Sequence, residues 1–205
     1  IVPLAAEDLA TVQNDATLNA EANIYPGSCT YAIMFHQLKE PFTNQKVREA
    51  FAHALDRETW VADVLKGLGA PTLTWIPKGF PGYDAEENRW GFDPAAAQAA
   101  LAESGYTVEN GALLDPTGAA IEMIDTFSDT PRNRVRYEWL VAKFKEVLGV
   151  DIALNPVEST TYTAMTKDIS TAPQMFILGW CADYPDPQNW LSVYWKTGAF
   201  GERIG

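Results

Sequence analysis

The sequence is poor in the residues that most catalytic and nucleic-acid-binding sites require. Among 205 residues there are 2 cysteines and 2 histidines. A four-cysteine zinc site is excluded by count. Cys29, His36, His53 and Cys181 lack the close paired spacing of a two-cysteine, two-histidine site. Lys and Arg total 15 against 27 Asp and Glu, a net charge of −12, so nucleic acid and anionic membrane surfaces are poor partners. No run approaches the ~20 apolar residues of a membrane span. The patterns G-x-S-x-G, G-x-x-x-x-G-K-[ST], C-x-x-C and H-E-x-x-H are all missing. Ile1 opens the chain without Met, a basic leader or a small-residue cleavage motif, and Gly205 ends it abruptly. Both ends read as those of a piece of something longer.

What is present can build a core. Hydrophobic residues make up 47% and aromatics 12%, including 7 Trp, which suits one large domain or two small ones. Residues 4–14 have helical spacing, and Tyr25 to Ser28 has the composition of a turn. Thr30–Leu38 reads as a strand ended by Pro41. Thr43 or Asn44 can cap a helix over Gln45–Leu55, and Asp56 opens another to Lys66, closed by Gly67. Ala70–Phe92 mixes Pro and Gly with Trp75, Phe80, Tyr83 and Trp90. It reads as an ordered loop wrapped over the core. Asp93-Pro94 starts an Ala-rich helix that Gly105 stops. Then follow a strand (Ala119–Phe127), a helix from Thr130-Pro131 to Leu148, a strand (Val150–Val157) and a helix (Glu158–Lys167). Gln174–Cys181 is a nearly continuous apolar run, as in a strand covered on both faces. Asp183–Pro187 reads as a turn and Asn189–Trp195 as a short helix. The alternation implies an α/β fold, a parallel or mixed sheet flanked by helices.

Few residues nominate themselves for chemistry. His36 sits in a strand and reads as a core or edge residue. His53 follows Glu49 by four residues, the spacing of a surface pair on a helix. Asp63 and Glu86-Glu87 read as solvated charges. The informative segment is Gly179-Trp180-Cys181-Ala182-Asp183-Tyr184-Pro185-Asp186-Pro187. In α/β sheets ligands gather at the carboxyl ends of strands, where a carboxylate between aromatics can pair with a cation. Equally, Asp183 and Asp186 can do no more than cap the turn and the helix after it.

Four segments carry a family resemblance. Pro41-Phe42, Val47-Arg48, Ala50 and Asp56-Arg57 fit P-F-x-x-x-x-V-R-x-A-x-x-x-x-x-D-R. Pro77 to Tyr83 supplies a Pro/Gly loop. Asp93-Pro94 to Gly105-Tyr106 fits a looser D-P…G-Y segment, with Ala96 in place of the usual Lys and Ala100 in place of a Leu. Gly179 to Pro187 fits G-W-x-A-D-Y-x-D-P. Together they resemble the family 5 extracellular solute-binding proteins, the peptide- and nickel-binding receptors of ABC importers.

That resemblance implies one lobe of a bilobal, type II periplasmic-binding-protein-like fold. Residues 1–20 would be the crossing from a missing first lobe, and 21–205 the ligand-binding second lobe. It implies a binding protein rather than an enzyme, without cofactor or metal, in the periplasm or at the extracellular face of the cell membrane, with lipid anchoring left open. Its partners would be a peptide ligand, a membrane permease and the first lobe. Cys29 and Cys181 match the positions of a disulfide in the oligopeptide receptors. Asp183 matches the residue that pairs with a peptide α-amine, and Leu178, Gly179, Trp180 and Cys181 would run beside the peptide. Trp180 or Tyr31 would line a side-chain pocket. Ile177 stands where the oligopeptide receptor has an Arg, so the ligand carboxylate lacks that route. An oligosaccharide, a nickel complex or haem on the same fold is the alternative.

Overall fold

A computed structural model describes residues 4, 6–23 and 27–203. Tyr25 and Pro26 of the expected turn, and both chain ends, lie outside the described residues. The first helical stretch is a 3-10 turn, Ala6–Asp8, running into α1 (Leu9–Asn14). A second helix, α2 (Ala16–Glu21), was not expected. Asp15 caps it by accepting from the Thr17 and Leu18 N–H groups.

Strand β1 (Cys29–Phe35) is shorter than the sequence suggests. His36, which follows it, is buried. Its Nδ1 accepts from the Leu38 N–H at 3.2 Å and its Nε2 faces the Ile169 carbonyl at 2.9 Å, so the chain turns there. The caps of the next helices fall where expected. Asn44 caps α3 (Gln45–Ala54), Asp56 caps α4 (Arg57–Asp63) and Asp93 caps α5 (Pro94–Glu103).

The stretch expected as one strand over Ala119–Phe127 is two. β2 (Thr107–Glu109), β3 (Ala112–Leu114) and β4 (Ala120–Ile121) form a small antiparallel sheet, and β5 (Ile124–Ser128) belongs to the main one. Gln174 occupies the break. Its side chain accepts from the Ile124 N–H at 2.8 Å and donates to the Glu122 carbonyl at 3.1 Å.

Thr130 caps α6 (Pro131–Leu148), and Gly149 ends it with φ 75°. β6 (Ala153–Val157), α7 (Ser159–Met165) and β7 (Met175–Cys181) follow. α8 begins at Pro187 rather than Asn189 and runs to Trp195, with Asp186 as its cap. A 3-10 turn, Phe200–Arg203, closes the described chain.

The main sheet has the order β1-β7-β5-β6. β7 is antiparallel to β1 and parallel to β5, and β5 is parallel to β6. Alternation sends Ile33, Phe35, Met175 and Ile177 to one face, against Phe51, Leu140 and Phe144. Met34 and Phe176 go to the other, against Tyr194 of α8. Both faces are covered, as the apolar run of β7 requires. The 70–92 loop packs onto this second layer. Trp75 Nε1 donates to the Trp190 carbonyl at 3.1 Å, and its ring lies 4.7 Å from that of Tyr194.

Candidate functional site

β1 and β7 build the site. Their register pairs Cys29 with Cys181, Thr30 with Trp180 and Tyr31 with Gly179. Cys29 and Cys181 are joined by a disulfide across a sequence separation of 152, which clasps the carboxyl end of β7 to the start of β1. Tyr31 is 70% exposed, and its ring lies over Gly179. A Cβ at position 179 would sit 2.7 Å from Tyr31 Cε1 and 2.9 Å from the Thr30 carbonyl, closer than real Cβ contacts. Glycine is therefore required by the ring that covers it.

Beyond its single paired residue with β5, β7 loses a strand partner, and tyrosines replace the ladder. Tyr137 accepts from the Ile177 N–H at 3.1 Å, and Tyr162 donates to the Ile177 carbonyl at 2.6 Å. Tyr194 donates to the Gly179 carbonyl at 3.2 Å. Burial pushes the Tyr162 and Tyr194 hydroxyls up to about 12, so they stay protonated and able to donate at neutral pH.

The segment after β7 is fixed by one buried amide. Asn189 Oδ1 accepts from Trp180 Nε1 at 3.2 Å and from the Asp183 N–H at 3.0 Å. Asn189 Nδ2 donates back to Asp183 Oδ2 at 3.1 Å. Asp183 is exposed, and its Oδ1 has no hydrogen-bond partner among the described residues. Asp186 Oδ1 accepts from the Gln188 N–H at 2.8 Å and caps α8. The two acidic residues therefore divide the labour. Asp186 caps the helix, and Asp183 presents a carboxylate to solvent.

A large open cleft of about 1250 Å³ lies on the Tyr31 face of the sheet, bounded by α3, α4, the start of the 70–92 loop and the first turns of α6. Of the residues expected at the site, Cys29, Tyr31, Leu178 and Gly179 line it, whereas Trp180, Cys181 and Asp183 do not. Trp180 instead packs against Tyr194 at 5.5 Å on the opposite layer. The cleft also takes Arg132 and Arg136 of α6, which sequence reasoning did not single out. Their i,i+4 spacing was the available signal.

Two smaller expectations need correction. His53 does not pair with Glu49. Its Nδ1 faces the Gly91 carbonyl at 3.0 Å, and Glu49 takes Lys46 at 3.0 Å and Gln45 at 2.8 Å. Glu87 is not merely solvated. It pairs with Arg89, which holds its carboxyl down at about 2. Among the described residues no group of three His, Cys, Asp or Glu side chains is placed to hold a metal ion. Among the same residues no helix is long and apolar enough to cross a membrane.

The mixed sheet flanked by helices places the chain in the type II periplasmic-binding-protein-like fold class. The chain belongs to the bacterial extracellular solute-binding proteins, family 5, whose model matches residues 1–202. It is 26% identical over 192 residues to the dipeptide-binding protein of Escherichia coli, covering 94% of this chain and 34% of that one. It is 30% identical over 164 residues to heme-binding protein A of Haemophilus influenzae, covering 78% and 28%. Among solved structures, the Escherichia coli murein tripeptide binding protein MppA superimposes with a TM-score of 0.79 at 20% identity, covering 98% of this chain and 38% of that one. NikA from Brucella suis, in complex with Fe(III)-EDTA, gives 0.76 at 22%, covering 98% and 40%. These structural matches confirm the expected fold. The chain spans about a third of the length of the curated relatives it matches.

Proposed function

We propose that this chain is the second lobe of the substrate-binding component of an ABC importer that captures oligopeptides. Residues 1–20 are the crossing segment from a first lobe and 21–205 the ligand-binding lobe. The receptor works in the periplasm or at the extracellular face of the membrane and delivers its ligand to a permease. The observation that carries the reading is Asp183, an exposed carboxylate held by the buried Asn189 just past the end of β7. Peptides of any sequence share an α-amine. A fixed carboxylate recognises it without regard to side chains, which then lie in roomy, water-tolerant space.

A haem ligand is the second reading, favoured by the 30% identity to the Haemophilus influenzae haem-binding protein. An oligosaccharide is a third, with Asp183 accepting from hydroxyls. Calorimetric titration of the full-length protein with a mixed tri- to pentapeptide library, an oligosaccharide set and haem separates them. The peptide reading expects saturable binding of peptides alone. Saturation by haem or sugar without peptide binding overturns it.

A further inference from the structure

Asn189 does more for Asp183 than hold the chain beside it. It lies in the first turn of α8 and is 1% exposed. The helix is itself fixed by the burial of Trp190 and Tyr194 and by the Trp75 bond to the Trp190 carbonyl. A side chain carried on a packed helix is placed more precisely than one on a loop.

The orientation of the amide is dictated by its partners. Two donors, Trp180 Nε1 at 3.2 Å and the Asp183 N–H at 3.0 Å, point at Oδ1. Turning the amide over would bring its NH2 group against both donors and its oxygen against the Asp183 carboxylate. The nitrogen therefore has to lie toward Asp183, where Nδ2 donates to Oδ2 at 3.1 Å. Trp180 is fixed in turn. Its ring packs on Tyr194, whose hydroxyl donates to the Gly179 carbonyl at 3.2 Å.

The two oxygens of Asp183 are thereby made unequal. Oδ2 is engaged by the amide, and Oδ1 has no hydrogen-bond partner among the described residues. A free carboxylate offers both oxygens side by side, the arrangement that a guanidinium fork grips through two parallel N–H bonds. A carboxylate with one oxygen engaged offers a single open acceptor, which suits a compact ammonium.

We propose that Asn189 is a positioning residue that sets specificity. By holding Oδ2 it leaves Asp183 a one-oxygen anchor, which takes a primary ammonium in preference to a guanidinium. This role rests on the reading of Asp183 as the anchor for the ligand's amine, and it makes the shape of the cation matter as well as its charge.

The test is calorimetry on the full-length protein at neutral pH with two ligands of equal charge. One is tri-alanine, and the other is tri-alanine with its α-amine converted to a guanidine. The unaltered protein is expected to bind tri-alanine about tenfold more tightly, the weight of one charge-assisted hydrogen bond. In Asn189→Asp the side chain can still accept from Trp180 and from the Asp183 N–H, but its amide donor to Oδ2 is gone. The preference should then disappear. A residue that only held the segment through Oδ1 would leave the preference intact in Asn189→Asp, so an unchanged ratio overturns the role. Asn189→Ala, which removes all three bonds, should lose the preference too. Each ratio compares two ligands on one sample, so unfolded material lowers the stoichiometry and not the ratio. Equal binding of both ligands by the unaltered protein overturns the role and leaves the peptide reading intact. A protein that binds neither ligand removes the peptide reading and this role with it.

Discussion

Asp125 is the residue whose chemistry is most at odds with its surroundings. It lies on β5, fully buried, and neither carboxylate oxygen has a hydrogen-bond partner among the described residues. Burial raises its pKa well above the ordinary carboxylate range, so it keeps its proton in the folded state. The unfolded chain gives up that proton near pH 4. Above that pH the native state therefore binds more protons than the unfolded state. Stability falls by about 1.4 kcal/mol per pH unit until the folded pKa is reached. Asp125→Asn should flatten this slope. Its melting temperature relative to the unaltered protein should rise between pH 4 and pH 7. Parallel melting curves across that range would show that Asp125 finds a partner. Gly179 makes a second residue-scale prediction. Gly179→Ala must displace the Tyr31 ring or the Thr30 carbonyl, at a cost of roughly 1–3 kcal/mol measured by urea unfolding. Tyr31→Ala in the same background should recover the part due to the ring.

At the scale of elements, the clasp between β1 and β7 is the main device. Joining residues 152 positions apart removes much of the freedom of the unfolded chain, by roughly 5 kcal/mol in the chain-entropy model. Replacing both cysteines by serine should lower stability by about 2–5 kcal/mol, read as a drop in urea midpoint with a steeper slope, because the freed unfolded chain exposes more surface. An unchanged midpoint would show that the strand pairing carries itself. Asp186→Ala should cost about 1 kcal/mol through the lost cap of α8. These devices were legible in the sequence because each is local or carried by a motif. Asn44, Asp56, Asp93-Pro94, Thr130-Pro131 and Gly149 mark helix ends by their own chemistry. The β2–β3 hairpin was missed although Asn110-Gly111 signals it, both residues having left-handed φ of 51° and 89°. Its strands are too short to show alternation. The break between β4 and β5 was not legible, because the Gln174 side chain that fills it is distant in sequence. The arginine pair escaped for the same reason. Only folding brings α6 beside β1 and turns an unremarkable i,i+4 spacing into one wall of a cleft.

At the scale of the whole molecule, the proposed second lobe would supply half of an enclosing surface. A single lobe leaves its ligand hydrated on one side, where charge pairs are screened. Residues 1–205 alone should fold cooperatively yet bind tri-alanine weakly. Sub-micromolar binding by this piece would show that the lobe suffices. On the proposed reading, closure of the full-length protein would desolvate a pair between Asp183 and the ligand amine, and removing one partner of a buried pair costs roughly 3–5 kcal/mol. The most direct measurement is calorimetric titration of full-length protein and its Asp183→Asn variant with tri-alanine and N-acetyl-tri-alanine. The expected result is roughly a hundredfold loss or more for the variant with the free-amine peptide, and a similar loss for the unaltered protein on acetylation. Equal affinity of both proteins for free-amine tri-alanine would contradict it and leave Asp183 a structural residue.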